Sequence, residues 1–211
     1  MYPNQPLAEP RPQGAGWRRI TAACQPVRPL FEIIEHVILT IGHSTHPVDE
    51  FIRILKAHGI EHLVDVRTIP KSRHNPQFNH DALERSLAGE GIAYTHMPGL
   101  GGLRHPRKDS INTGWRNASF RGYADYMQTP EFEKNLLELI EIAGKQRTVI
   151  MCAEAVPWRC HRSLIGDALA ARAIGVEDIL SATSRKPHQY TPFARIEGTA
   201  VTYPGLPLSS A

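Results

Sequence analysis

The sequence predicts a single three-layer α/β domain, with helices on both faces of a mainly parallel sheet of about five strands. Three observations predict it. From residue 37 to residue 185, apolar runs of strand length alternate with segments of helical period. The helical segments begin and end on residue types that suit helix termini. Unusual polar residues follow three of the strand-like runs, where the carboxyl edge of a parallel sheet would gather them.

The elements follow in order. "HVILTIG" (36–42) reads as a buried strand. "PVDEFIRILKAHG" (47–59) opens on Pro47, places Asp49 and Glu50 in its first turn and closes at Gly59. Phe51, Ile52 and Leu55 give that helix its inward face. "EHLVDVR" (61–67) is a second strand, "HDALERSLAGEG" (80–91) a second helix and "IAYTHM" (92–97) a third strand. Residues 98–119 then form a long Gly-rich, basic loop, a length that ordered domains seldom carry without a functional reason or disorder. A short helix through "FRGYADYM" and a longer one through "PEFEKNLLELIEIAGK" come next. "RTVIMC" (147–152) is the fourth strand, "CHRSLIGDALAARAIG" (160–175) a helix and "VEDIL" (176–180) the fifth strand.

On either side of this region the pattern lapses. Residues 1–36 are Pro-rich without a sustained period and read as a flexible extension, and residues 186–211 read as a C-terminal tail. The domain itself is expected over residues 37–185.

Composition bounds the function. The 211 residues are 41% apolar, with no run approaching the ~20 apolar residues needed to span a bilayer, so a cytoplasmic protein with no membrane partner is expected. Three cysteines, one of them Cys24 in the Pro-rich extension, make a poor disulfide framework and imply reduced thiols. A net charge of +3 does not by itself imply nucleic-acid binding. The distribution of charge carries more. Arg67, Lys71 and Arg73 follow the second strand, while Arg104, Arg107, Lys108, Arg116 and Arg121 populate the long loop and the helix after it. With Phe78, Trp115, Phe120, Tyr123 and Trp158 interleaved, such a rim would suit an anionic small molecule or a nucleic acid.

The stretch "TVIMCAEAVPWRCHRSLIGDAL" (148–169) holds the chemistry-bearing residues. Cys152, Cys160 and His161 give a C-x7-C-H spacing, which lacks the close cysteine pairing of common zinc sites. A transient redox pair and plain apolar packing of Cys152 are alternatives. A nucleophile is a further one: Cys152 ends a strand that leads into a helix N-terminus, and Arg159 and Arg162 add charge that would lower a thiol pKa, of either cysteine. Glu154 is read as an ion-pair partner or a general acid or base, and His161 as a local cap or a proton carrier.

"TIGHSTHPVDEFIRILKAHGIEHLVDVRTIPKSRHNPQFN", "YTHMPGLGG", "FRGYADYM" and "MCAEAVPWRCHRSLIGDAL", in that order, resemble the bacterial and archaeal family called domain of unknown function 488, over roughly residues 37–182. The resemblance implies a compact three-layer domain and marks Gly42, His43, Ser44, Asp65, Val66, Arg67, Pro70, Ser72, Arg73, Phe78, Gly101, Gly102, Cys152, Ala153, Glu154, Cys160, His161 and Arg162 as signature positions. It implies no reaction. A weaker likeness links "VDVR" and the strand-ending cysteine to rhodanese-like sulfurtransferases and cysteine phosphatases, whose cysteine-to-arginine loop is shorter than the six residues between Cys152 and Arg159.

The expectation that results is an enzyme, or a domain derived from one, with its ligand at the carboxyl edge of the sheet. Arg67, Arg73 and Arg162 would hold an anion, supported by Gly42, His43, Ser44, Gly101, Gly102 and Arg159. Cys152, Glu154, Cys160 and His161 would carry the chemistry, without a cofactor. The rivals are a non-catalytic nucleic-acid-binding module and a metal site on Cys152, Cys160 and His161.

Overall fold

The structure, a computed structural model, describes residues 37–205, so the Pro-rich extension with Cys24 and the last six residues lie outside the described residues. The expected elements form in the expected order: β1 (Ile38–Gly42), α1 (Val48–Ala57), β2 (His62–Asp65), α2 (His80–Ala88), β3 (Ala93–His96), α3 (Ala118–Tyr126), α4 (Pro130–Ala143), β4 (Thr148–Cys152), α5 (Arg162–Ala170) and β5 (Val176–Ser181). β6 (Ser184–Pro187), β7 (Arg195–Glu197) and β8 (Ala200–Thr202) complete the described chain.

β1 to β6 make one sheet in the order β3-β2-β4-β1-β5-β6, in which β6 alone runs antiparallel. Strand alternation sorts its apolar side chains into two cores. Leu39, Ile41, Leu63, Val149 and Met151 pack with Phe51, Leu55, Leu83 and Leu87 of α1 and α2. Ile38, Val64, Ile150 and Cys152 face the other way, against Tyr123, Leu136, Leu139, Leu164 and Ile165 of α3, α4 and α5. The result is the three-layer arrangement that the alternating pattern predicts.

The strand order also fixes where a ligand can enter. β4 lies between β1 and β2, whose following helices α1 and α2 cover one face, whereas α5 after β4 covers the other. The connections therefore diverge on both flanks of the β4 carboxyl end, and a crevice opens where they part.

One segment departs from the sequence reading. Residues 186–205, read as a tail, hold the β7–β8 hairpin and bury Val201 and Tyr203 in the core beneath α5. Their anchor is polar as well as apolar: the buried Asp167 carboxylate of α5 accepts hydrogen bonds from Tyr203 Oη (2.8 Å), His188 Nε2 (2.8 Å) and Thr191 N (3.1 Å). No hydrophobic period can announce a segment held in that way. The long loop is irregular yet fastened, because the buried Asp125 of α3 accepts from Arg107 N (2.8 Å), Ser110 Oγ (2.6 Å) and Asn112 Nδ2 (2.8 Å).

Removing the Asp125 carboxylate leaves three donors without an acceptor, at least one of them buried. Asp125→Ala is expected to lower the unfolding free energy by about 3 kcal/mol and Ser110→Ala by about 1 kcal/mol, read from urea unfolding curves. Equal costs for the two variants would show that the carboxylate does not organise the loop.

Candidate functional site

The carboxyl ends of β1 and β4 are tied together by main chain. His43 N donates to Cys152 O and Ser44 N to Ala153 O, both at 2.9 Å. Gly42 is obligatory there, since a Cβ would stand 1.8 Å from the Glu154 carbonyl oxygen, and Ser44 takes a left-handed φ of 47° to complete the turn. "GHS" thus acts first as a clamp on the loop after β4.

Below that clamp, on the α5 side, three donor atoms converge. Cys152 Sγ lies 3.9 Å and Cys160 Sγ 3.7 Å from His161 Nδ1, and the three atoms all lie within 4.8 Å of one another. Cys152 is the last residue of β4; Cys160 and His161 lead directly into α5. The imidazole is oriented from behind. Its Nε2 donates to the Val66 carbonyl at 3.1 Å, and because a carbonyl only accepts, the neutral ring keeps its Nδ1 lone pair turned toward the sulfurs. The loop backbone presses on the same ring, so that a Cβ at Gly102 would meet Nδ1 at 2.6 Å.

Arg162 is almost wholly buried, at 1% exposure, and its N–H groups are spent inside the fold. Nε points to Cys160 Sγ (3.4 Å), Nη2 to the Glu154 carbonyl (2.7 Å) and Nη1 to Thr40 Oγ1 (3.4 Å), whose hydroxyl donates to Asp178. These contacts set the charge of the two thiols apart. Cys160 is drawn well below the ordinary thiol range by the Cys152 S–H, with the Arg162 charge adding to it against burial. Cys152 is pushed up by the same contact with Cys160, by burial and by the charge that Cys160 carries.

On the α1–α2 side of the β4 end, Arg67 repeats the pattern with a different partner. Its guanidinium grips Asp65 (Nε–Oδ1 2.9 Å, Nη2–Oδ2 2.5 Å), donates to the Phe78 carbonyl at 2.8 Å and approaches His43 Nε2 at 3.3 Å. Tyr94 adds its hydroxyl to Asp65 at 2.9 Å. His43 stacks on Phe78, with centroids 4.2 Å apart, and donates Nδ1–H to its own neighbour's carbonyl, Ser44 O.

Two clefts open on either side of Ala153 and Glu154. The first, of about 380 Å³, has Cys152, Cys160 and His161 on its floor and Thr68, Ile69, Gly102, Leu103, Ser119, Phe120 and Arg159 around them. The second, of about 390 Å³, is lined by His43, Ser44, Thr45, Lys71, Ser72 and Asn75. Arg67, Ile69, Ala153 and Glu154 belong to both. The expected residues therefore divide. Cys152, Cys160, His161, Glu154, Arg159 and Gly102 line the first cleft, His43 and Ser44 the second. Gly42 and Gly101 are buried spacers, the latter against Thr68. Arg73 is exposed and lines neither cleft.

Arg67 and Arg162 support the walls instead of standing free for an anion. Two residues of the basic rim are likewise committed: Arg104 lies over the Tyr126 ring at 3.5 Å and donates to Gly99 O and Gly101 O, and Arg107 pairs with Asp109. Of the aromatic residues expected to stack on a base, Phe78 and Tyr123 are fully buried and Trp115 stacks on Phe120, while Trp158 is 70% exposed. Sequence reasoning misses Thr40, Val66 O and Asp178. A signal for Thr40 exists, as a hydroxyl inside the apolar strand "ILTIG" needs a polar partner.

The sequence model of a family described as Domain of unknown function DUF488 matches residues 47–169. Neither a search of curated proteins nor one of solved structures returns a match.

Burial, with the Arg67 charge adding to it, lowers the His43 pKa from 6.5 to about 4 against the pull of the Ser44 carbonyl. The folded chain thus refuses a proton that the unfolded chain accepts. The stability this contributes is complete above pH 6.5 and is lost as the pH falls from 6.5 to about 4, up to about 3 kcal/mol. The stability gap between wild type and His43→Gln is therefore expected to narrow by that amount between pH 7 and pH 4 in urea unfolding. A gap that stays constant over this range would contradict the assignment.

Proposed function

The chain belongs to the family described as Domain of unknown function DUF488, and from that premise we propose that it is an enzyme acting on a small ligand held at the carboxyl end of β4. One observation carries the reading: two cysteine sulfurs and an imidazole nitrogen from β4 and the start of α5 meet on the floor of a cleft at the point where the chain connections diverge. Although Cys152 and Cys160 are buried, both line the cleft together with His161.

The two clefts differ in what they would accept. Phe120, Leu103 and Ile69 give the first an apolar wall suited to a flat or aliphatic body. Lys71, Ser44, Ser72 and Asn75 offer the second an ammonium, hydroxyls and an amide, which suit an anionic or strongly polar group. A ligand lying across Ala153 and Glu154 would place its polar part in the second cleft and its reacting atom over Cys152, Cys160 and His161. A phosphate- or carboxylate-bearing small molecule fits that description. A long nucleic acid fits less well, because Arg104, Arg107 and Trp115 of the rim it would need are engaged within the fold.

The test is a thermal-shift panel of nucleotides, inorganic phosphate, sulfur oxyanions and short oligonucleotides on the full chain. A small anion present at a hundredfold excess over its Kd is expected to raise the Tm by roughly 5–10 °C. Most of that shift should vanish in Lys71→Ala, and consumption of the ligand should stop in Cys152→Ser while its binding persists. Stabilisation by oligonucleotides alone, falling steeply with salt, would replace this reading with that of a binding module.

A further inference from the structure

Resting on that reading of the cleft, we propose that Cys152 Sγ, Cys160 Sγ and His161 Nδ1 are the three protein ligands of a zinc-class divalent cation whose fourth position faces the cleft. The argument begins with distance. A tetrahedral zinc with two thiolates and one imidazole holds each sulfur about 3.5 Å from the nitrogen and the sulfurs about 3.8 Å apart. The observed 3.7 and 3.9 Å, and the 4.8 Å bound on the whole set, require the side chains to close by only a few tenths of an ångström to about one ångström.

The second step is the tautomer. A histidine ligand is ordinarily fixed by giving its other N–H to a carbonyl or carboxylate, and His161 gives Nε2–H to Val66 O. The ring is therefore held with a lone pair aimed at the sulfurs, before any ion arrives. The Gly102 backbone, where a Cβ would stand 2.6 Å from Nδ1, and the Tyr123 ring, with its centroid 5.1 Å away, both pack close to that ring. Arg162 Nε–H directed at Cys160 Sγ is the hydrogen bond that a metal-bound thiolate commonly receives, and it orients that sulfur.

The third step concerns what the site excludes. Two sulfurs and an imidazole select a thiophilic ion such as zinc or cobalt over magnesium or calcium, which prefer oxygen ligands. Three protein ligands leave one position for water or a ligand atom, the arrangement of catalytic and not of structural zinc. That position opens on the 380 Å³ cleft, where the ion would act as a Lewis acid on whatever group occupies it. The sequence spacing hides this, because Cys160 and His161 are adjacent and the third ligand is supplied by the end of a strand.

Cobalt(II) titration of the full chain, reduced and stripped of metal, tests the proposal through spectra and not through activity. One equivalent is expected to give thiolate-to-cobalt charge-transfer bands and intense visible bands of a four-coordinate ion. Cys24→Ser should keep both, whereas Cys152→Ser, Cys160→Ser and His161→Ala, each checked for native circular dichroism and melting, should weaken binding by about 100-fold or more. Thiocyanate should shift the visible bands, as an open position requires. Absent bands, or bands that survive Cys152→Ser, would overturn the metal assignment. The cleft reading is tested separately: a small anion that stabilises the metal-free chain and loses its effect in Lys71→Ala would leave that reading standing without the ion.

Discussion

A guanidinium with almost no access to water must find acceptors within the fold, and Arg162 finds them on three segments of the chain. Its contacts reach Cys160 ahead of α5, the Glu154 carbonyl after β4 and Thr40 in β1, with Asp178 of β5 behind Thr40. Truncating such a residue would leave a buried hydroxyl, a partly buried carbonyl and the Cys160 sulfur without this partner, a far larger cost than the loss of any surface ion pair. The positions of the β4 loop and of the α5 N-terminus are therefore not independent. Each is set by the same cation, and the site lies between them.

Arg67 does the corresponding work across the sheet. Asp65 neutralises it, Phe78 O and His43 Nε2 surround it, and the stacked His43–Phe78 pair joins this network to the core beneath α1 and α2. One buried arginine thus braces each flank of the β4 carboxyl end. Their placement explains why the two clefts have stable floors although the rims, with Ile69 61% and Leu103 69% exposed, are open to water. It also explains why residues that look like anion binders in the sequence do structural work: a buried guanidinium that bonds its own carboxylate has little left to offer a ligand.

Much of this is legible in the amino-acid sequence, and the reason is local. Pro47 with Asp49 and Glu50, the apolar run of β4 and the stretch after Cys152 all obey short-range rules, so the elements and the edge where polar residues collect follow from neighbouring residues alone. What the sequence hides depends on partners distant along the chain. Arg162 meets Thr40 across 122 residues and His161 meets Val66 O across 95, distances at which spacing carries no information. The hairpin of β7 and β8 escapes for a related reason. Its anchor is Asp167 together with a few buried side chains such as Val201 and Tyr203, not an amphipathic period.

The same dependence on distant partners decides how the ambiguity of the C-x7-C-H stretch should be weighed. As a string, it lacks the near pairing of metal motifs. In space, the strand end supplies one sulfur, the helix approach supplies the other with the imidazole, and Val66 O fixes which ring nitrogen is free. Ligand spacing in a sequence is diagnostic only where one loop makes the whole site. Where a parallel sheet makes it, the relevant spacing is that between the end of a strand and the start of the next helix, and Cys152 to Cys160 spans that interval.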